Sequence, residues 1–117
     1  MFSWLSSFFQ TPEVTPELKK SIQSTIESNK IVVYSKSYCP YCTSTKQILS
    51  QNGVNPTIIE LNQITDGSSI QQGLYEITGQ RTVPNIFING EHIGGNSDLV
   101  DLNSKGLLKS KLNALAK

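Results

Sequence analysis

Apolar positions along the chain recur with two periods, and the switches between them divide it into alternating elements. Leu18, Ile22, Thr25 and Ile26 share one face of a helix, spaced by three and four. Thr15 supplies a hydroxyl cap, Pro16 stands where a missing amide costs nothing, and Glu17 lies near the positive helix end; the helix should stop near Asn29. Ile31-Val32-Val33-Tyr34 is a short β-branched run without polar alternation, as expected of a central strand covered on both faces. A second helix is predicted from Pro40 to about Asn52-Gly53, with Ile48 and Leu49 as core contacts. Residues 57–61 read as the next strand. Asp66 then opens a helix carrying Ile70, Leu74 and Ile77, stopped at Gly79. Residues 84–88, a turn at Asn89-Gly90 and residues 91–93 form a hairpin signal. From Ser97 onward, Leu99, Leu102, Leu107, Leu108, Leu112 and Leu115 restore helical periodicity, with a break at Gly106.

This order is α, β, α, β, α, β, β, α. A strand-helix-strand unit has to cross over, which makes its two strands parallel, and the later hairpin adds antiparallel neighbours. The predicted class is therefore α/β, a four-stranded mixed sheet flanked by helices. At 117 residues the chain is sized for one such domain.

The amino-terminal stretch stands apart. Phe2, Trp4, Leu5, Phe8 and Phe9 crowd the first nine residues, with no Lys or Arg among them. Neither a secretory signal nor an imported presequence has that pattern, and the stretch is far too short to span a bilayer. Two readings stand: residues 1–15 as an extension, flexible or docked on a domain of residues 16–117, or an atypical targeting or membrane-surface segment.

Charge and residue counts narrow the chemistry. Ten Lys+Arg against nine Asp+Glu leave a net charge of +1, which gathers no polyphosphate, so nucleic acid is not an expected partner. His92 is the single histidine. It rules out multi-histidine metal sites, and its place on the hairpin reads as structural or exposed. Both cysteines lie in Cys39-Pro40-Tyr41-Cys42, which fits a reducing compartment better than a crosslinked secreted scaffold. The cytoplasm is the expected location, with the mitochondrion as the alternative.

The tetrad sits where the first strand ends and the second helix begins. There Cys39 can occupy the cap while Pro40 starts the first turn, leaving the sulfur near free amides and the positive helix end. Thiols so placed have pKa values of about 3.5 to 7.5, so a reactive thiolate is expected at neutral pH without a histidine base. Cys42 lies one turn inward, near enough to close a disulfide and farther from solvent. Cys39 is read as the nucleophile and Cys42 as the resolving thiol. A structural disulfide across so short a loop would gain little from loop entropy. Structural zinc wants four ligands, and only Cys39, Cys42 and His92 are on offer. An iron-sulfur cluster shared between two chains would mend that shortage, although Pro40 and the second cysteine suit dithiol chemistry better.

At Cys39-Pro40-Tyr41-Cys42 the chain resembles the dithiol glutaredoxins, and the likeness reaches further. Lys36-Ser37-Tyr38 precedes the tetrad, Gly79-Gln80-Arg81-Thr82-Val83-Pro84 follows the third helix, and Asn89-Gly90-Glu91-His92-Ile93-Gly94-Gly95-Asn96-Ser97-Asp98 completes the pattern. The resemblance covers about residues 30–111 and leaves the aromatic amino terminus outside.

It implies a thioredoxin fold and glutathione-dependent thiol-disulfide exchange, with glutathione as co-substrate and no tightly bound cofactor. Pro84 would then be cis, with Thr82 and Val83 beside it and the Val83 backbone meeting the cysteinyl part of glutathione. Lys36 and Gln71 would grip the glycyl carboxylate, helped by Arg81. Gly95, Ser97 and Asp98 would form the γ-glutamyl site, with amides at a helix start for the carboxylate and the Asp98 side chain for the ammonium. Tyr41 would flank the sulfur. The implied partners are glutathionylated or disulfide-containing proteins, met by a monomer. The competing reading is a dimer holding an iron-sulfur cluster through Cys39 and glutathione.

Overall fold

The computed structural model describes residues 12–115, so the aromatic stretch at positions 2–9 lies outside the described residues. Helix α1 (Pro16–Ser28) is followed by strand β1 (Ile31–Ser35), helix α2 (Pro40–Gln51) and strand β2 (Thr57–Glu60). After a 3-10 turn (Leu61–Gln63) come helix α3 (Gly67–Thr78), the hairpin strands β3 (Asn85–Ile88) and β4 (Glu91–Gly94), and helices α4 (Asn96–Ser104) and α5 (Leu107–Leu115). The strands form one sheet in the order β2-β1-β3-β4. β1 pairs in parallel with β2 and antiparallel with β3, which pairs antiparallel with β4. The expected four-stranded mixed sheet between helices is present.

All five residues of β1 are buried, because a central strand covered on both faces has no solvent side. Its alternating side chains feed two cores. Ile31 and Val33 join Ile86, Ile88, Leu49, Leu99 and Leu108 on one face; Val32 and Tyr34 join Phe87, Ile22, Ile26 and Leu74 on the other. Each fully buried large aliphatic side chain stabilises the fold by roughly 1.5–3 kcal/mol. The start of α1 is as read, with the Thr15 hydroxyl accepting the Leu18 N–H at 3.1 Å.

Boundaries differ by a residue at several ends; β1 and β4 each run one residue further, to Ser35 and Gly94. β2 stops at Glu60 because Leu61 turns inward to the second core, 4% exposed, and its carbonyl lies so close to Gly67 that any side chain at 67 would collide with it. β3 begins at Asn85, after a cis Val83–Pro84 bond. α4 begins at Asn96, one residue ahead of Ser97. The Asn89-Gly90 turn has φ of 52° and 79°, which suits a two-residue hairpin.

Topology converges the motifs. β1 and β2 end at one edge of the sheet; β3 runs the other way and starts there; β4 returns and ends there. The tetrad, the residues before Pro84 and the Gly94–Asp98 stretch are thereby gathered at one end of the molecule, although they lie far apart in sequence.

Candidate active site

Cys39 caps α2 with extended backbone, φ −88° and ψ 119°, and Pro40 opens the first turn. Its N–H donates to the Lys36 carbonyl at 3.0 Å, and its own carbonyl takes the Thr43 N–H at 3.1 Å. The thiol is half-buried and lies 3.9 Å from the Val83 carbonyl oxygen. Cys42, one turn down the helix, is 0% exposed, and both cysteines carry free thiols. Burial opposes ionisation of Cys39. It is outweighed by the Cys42 N–H, the Cys42 thiol, the Tyr41 N–H and the nearby Lys46 charge, so the Cys39 pKa falls below that of an ordinary thiol. Cys42 goes the other way. Burial pushes it up, and the Cys39 sulfur beside it adds to the rise, against the Lys36 N–H and Ser35 hydroxyl. One accessible, activated sulfur thus stands over a protonated, sequestered one.

A groove of about 460 Å³ opens beside this sulfur, walled by Tyr41, the Thr82-Val83-Pro84 segment and Gly95, Asn96 and Ser97. Tyr41 is 67% exposed, so it forms a wall and does not pack into the core. The opposite wall is pinned by Gln80, whose Nε2 donates to the Thr82 carbonyl at 3.1 Å and the Pro84 carbonyl at 3.0 Å. At the start of α4, Asp98 Oδ2 accepts the Gly95 N–H at 2.8 Å. The amides of a helix's first turn have no intrahelical acceptor, so Ser97 and Asp98 present theirs outward. Asn96 is tied to the redox helix by the buried Thr45 hydroxyl, which donates to its Oδ1 at 2.9 Å.

The three candidate carboxylate contacts stand differently. The Lys36 side chain, at the end of β1, has no hydrogen bond or ion pair among the described residues. Gln71 and Arg81 line a separate hollow of about 190 Å³ with Pro12, Ser68 and Gln72. Gln71 Nε2 donates to the Arg81 carbonyl at 2.8 Å, while the Arg81 guanidinium covers the Tyr75 ring at 4.0 Å and donates to Gln72 Oε1 at 3.3 Å. Gln71 and Arg81 therefore meet each other, outside the groove that adjoins the sulfur.

His92 is exposed on β4, as read. Its Nε2 lies 2.8 Å from Asn85 Oδ1 and its ring centroid 5.1 Å from that of Phe87. Partial burial of the ring on its Phe87 and Asn85 side lowers its pKa, partly countered by Asp98. No three His, Cys, Asp or Glu side chains group into a metal site among the described residues, and no helix there is long and apolar enough to cross a membrane.

Sequence reasoning passed over several contributors. Gln80 was visible only as part of a motif. Asn62 holds the loop before Cys39, taking the Ser37 N–H at 3.0 Å and donating to Ser37 Oγ at 2.7 Å. Lys46 pairs with Glu60 at 2.7 Å below the cysteines. The one available signal for Lys46 was its position four residues after Cys42 on the same helix face.

A glutaredoxin family model matches residues 31–93, which include the tetrad, the cis-proline and most of the hairpin. The chain is 44% identical over 110 residues to glutaredoxin-C4 of Arabidopsis thaliana, spanning 94% of this chain and 78% of that one. It is 44% identical over 106 residues to glutaredoxin-1 of Saccharomyces cerevisiae, spanning 87% and 96%. Among solved structures, a buckwheat glutaredoxin-glutathione complex superposes with a TM-score of 0.80 at 42% identity, covering 86% of this chain and 94% of that one. With this sheet order, an activated sulfur at the start of α2 and these relatives, the chain belongs to the glutaredoxin family and is a thiol-disulfide oxidoreductase.

Proposed function

We propose that the protein is a dithiol glutaredoxin that reduces protein-glutathione mixed disulfides and protein disulfides at the expense of glutathione. The observation that carries this is the contrast within the tetrad, an accessible sulfur of lowered pKa above a buried one of raised pKa. Cys39 thiolate attacks the glutathione sulfur of a mixed disulfide, the substrate leaves as its thiol, and glutathione remains on Cys39 until a second glutathione displaces it. With a protein disulfide, Cys39 forms the mixed disulfide and Cys42 expels the product, leaving a Cys39–Cys42 bond that glutathione reduces.

The groove supports the same reading. The Thr82-Val83-Pro84 backbone faces the sulfur side and would align the cysteinyl part of glutathione. Ser97 and Asp98 would take the γ-glutamyl end, and Lys36, unpaired among the described residues, would meet the glycyl carboxylate. Gln71 and Arg81 serve that carboxylate only if their mutual contact opens. Residues 16–117 are proposed to work as a monomeric catalytic domain with residues 1–15 as an extension, in a reducing compartment such as the cytosol.

The test is turnover of a small glutathione mixed disulfide and of a protein disulfide by wild type, Cys39→Ser and Cys42→Ser. Cys39→Ser should abolish both, whereas Cys42→Ser should keep the first and lose most of the second. Retained activity in Cys39→Ser would falsify the assignment.

A further inference from the structure

The ends of β1 and β2 place further polar groups beneath Cys42 that the exchange chemistry above leaves unused. Ser35 and Glu60 are register partners on the two parallel strands, so their side chains emerge on the same face of the sheet. Helix α2 covers that face with Cys42 and, one turn on, Lys46. The Ser35 hydroxyl is fully buried and borders both the Cys42 sulfur and the Glu60 carboxylate, yet completes no well-formed hydrogen bond. Glu60 Oε1 is likewise buried and unpartnered, while Oε2 receives Lys46 Nζ at 2.7 Å. Orphaned buried oxygens are destabilising, a burden that an apolar pair at 35 and 60 would avoid.

We propose that the Glu60 carboxylate, reached through the Ser35 hydroxyl, is the proton acceptor for Cys42 when that thiol resolves a mixed disulfide on Cys39. The inference rests on the dithiol route proposed above. In the step, the Cys42 S–H bond breaks and its proton passes by way of Ser35 to Glu60. The Cys42 sulfur forms a bond to the Cys39 sulfur, the bond from Cys39 to the glutathione sulfur breaks, and glutathione leaves as its thiolate. Cys42 and Cys39 end oxidised as a disulfide, and the departing sulfur takes the electron pair. In the reverse direction protonated Glu60 returns the proton to the Cys42 thiolate as glutathione opens the disulfide.

Charge states at neutrality agree with these roles. The groups that act on Cys42 are the Cys39 thiol, the Lys36 N–H and the Ser35 hydroxyl, and Ser35 in turn borders Glu60 with its partner Lys46. Burial opposes ionisation of Glu60 but is outweighed by the Lys46 hydrogen bond, the Ser35 hydroxyl and the Lys46 charge, so its pKa lies below the usual carboxylate value and it is ionised. Cys42 is held protonated. Because the acceptor is a weak base facing a weak acid, transfer accompanies S–S bond formation and does not precede it.

The reduced full-length protein, mixed with oxidised glutathione, is acid-quenched at intervals, and mass spectrometry separates the glutathionylated form from the intramolecular disulfide. Wild type should resolve with a rate that is level from about pH 6 to 8. Glu60→Gln and Ser35→Ala should resolve about ten- to a hundredfold more slowly at pH 7 and accelerate roughly tenfold per pH unit as hydroxide takes over. Variants that slow by one constant factor at every pH, or that share the wild-type profile, overturn the proposal while leaving the dithiol route intact. A wild-type mixed disulfide that never resolves overturns the dithiol route and the proposal with it.

Discussion

Gly94→Ala tests whether the end of β4 builds the γ-glutamyl site. Gly94 has a φ of 118°, a conformation L residues rarely adopt, and a Cβ there would run into the Asp98 carboxylate. That carboxylate holds the Gly95 N–H at 2.8 Å and closes the first turn of α4. The strained backbone should cost about 1–3 kcal/mol, and the displaced Asp98 about 1 kcal/mol more as a lost cap. A domain of this size loses roughly 5 °C of melting temperature per kcal/mol, so a fall of about 10–20 °C is expected. In the proposed γ-glutamyl site, the same displacement would remove the partner for the glutathione ammonium. Since Asp98 is exposed, the loss there is about 1–2 kcal/mol, equivalent to a roughly 5- to 30-fold rise in KM for glutathione.

Thermal unfolding followed by circular dichroism reads the first effect, and coupled turnover at varied glutathione the second. Asp98→Asn separates them. Its amide oxygen can still accept the Gly95 N–H, so KM should rise while melting moves by less than about 5 °C. A Gly94→Ala protein with wild-type melting and wild-type KM would show that neither the positive φ nor the Asp98 contact matters, and the reasoning would fail.

Thr45→Val is nearly isosteric and deletes the buried hydroxyl that donates to Asn96 at 2.9 Å; melting should fall by about 5–10 °C, and an unchanged melt would show that this link between α2 and α4 is idle. Acid should weaken the fold in two stages. His92, whose pKa is lowered mainly by burial, is favoured neutral in the fold, so stability is full above about pH 6.5 and falls as pH drops through the depressed folded value. Glu60, also lowered, contributes fully above about pH 4.3 and loses that contribution as pH falls through its own folded value. Melting should therefore decline as pH falls below about 6.5, and His92→Gln should remove that upper stage; an identical decline in that variant refutes the assignment.

What could be read from the sequence was whatever depends on local chemistry. The apolar run 31–34, the Thr15-Pro16 start, the Asn89-Gly90 turn and the placement of Cys39 at a helix cap each follow from the conformational limits of a few adjacent residues, and each is present. What escaped depends on which polar groups the topology sets opposite one another. Gln80 is the local exception, since the two carbonyls it pins, those of Thr82 and Pro84, lie only two and four residues further on. Thr45 and Asn96 are 51 positions apart, and Glu60 faces Ser35 only because β1 and β2 lie in parallel register. The β2 boundary failed for a similar reason: Leu61 continues the apolar run of Ile58 and Ile59 in sequence, and what turned it inward was a core supplied by α1 and α3.

The same distinction explains how the two cysteines diverge in acidity although they share one turn of one helix. Cys39 owes its lowered pKa largely to groups encoded within the tetrad, the Cys42 and Tyr41 amides, with Lys46 one turn further along the same helix. That environment travels with the local sequence. Cys42 owes its raised pKa first to burial, which exists only because α2 lies flat on the sheet over Ser35 and Glu60. The proposed nucleophile is thus prepared by the helix start and the proposed resolving thiol by the tertiary fold. A substitution that loosens α2 from the sheet, such as one at Leu49, should therefore favour ionisation of Cys42 and, because the protonated Cys42 thiol helps hold the Cys39 pKa down, raise the Cys39 pKa in turn.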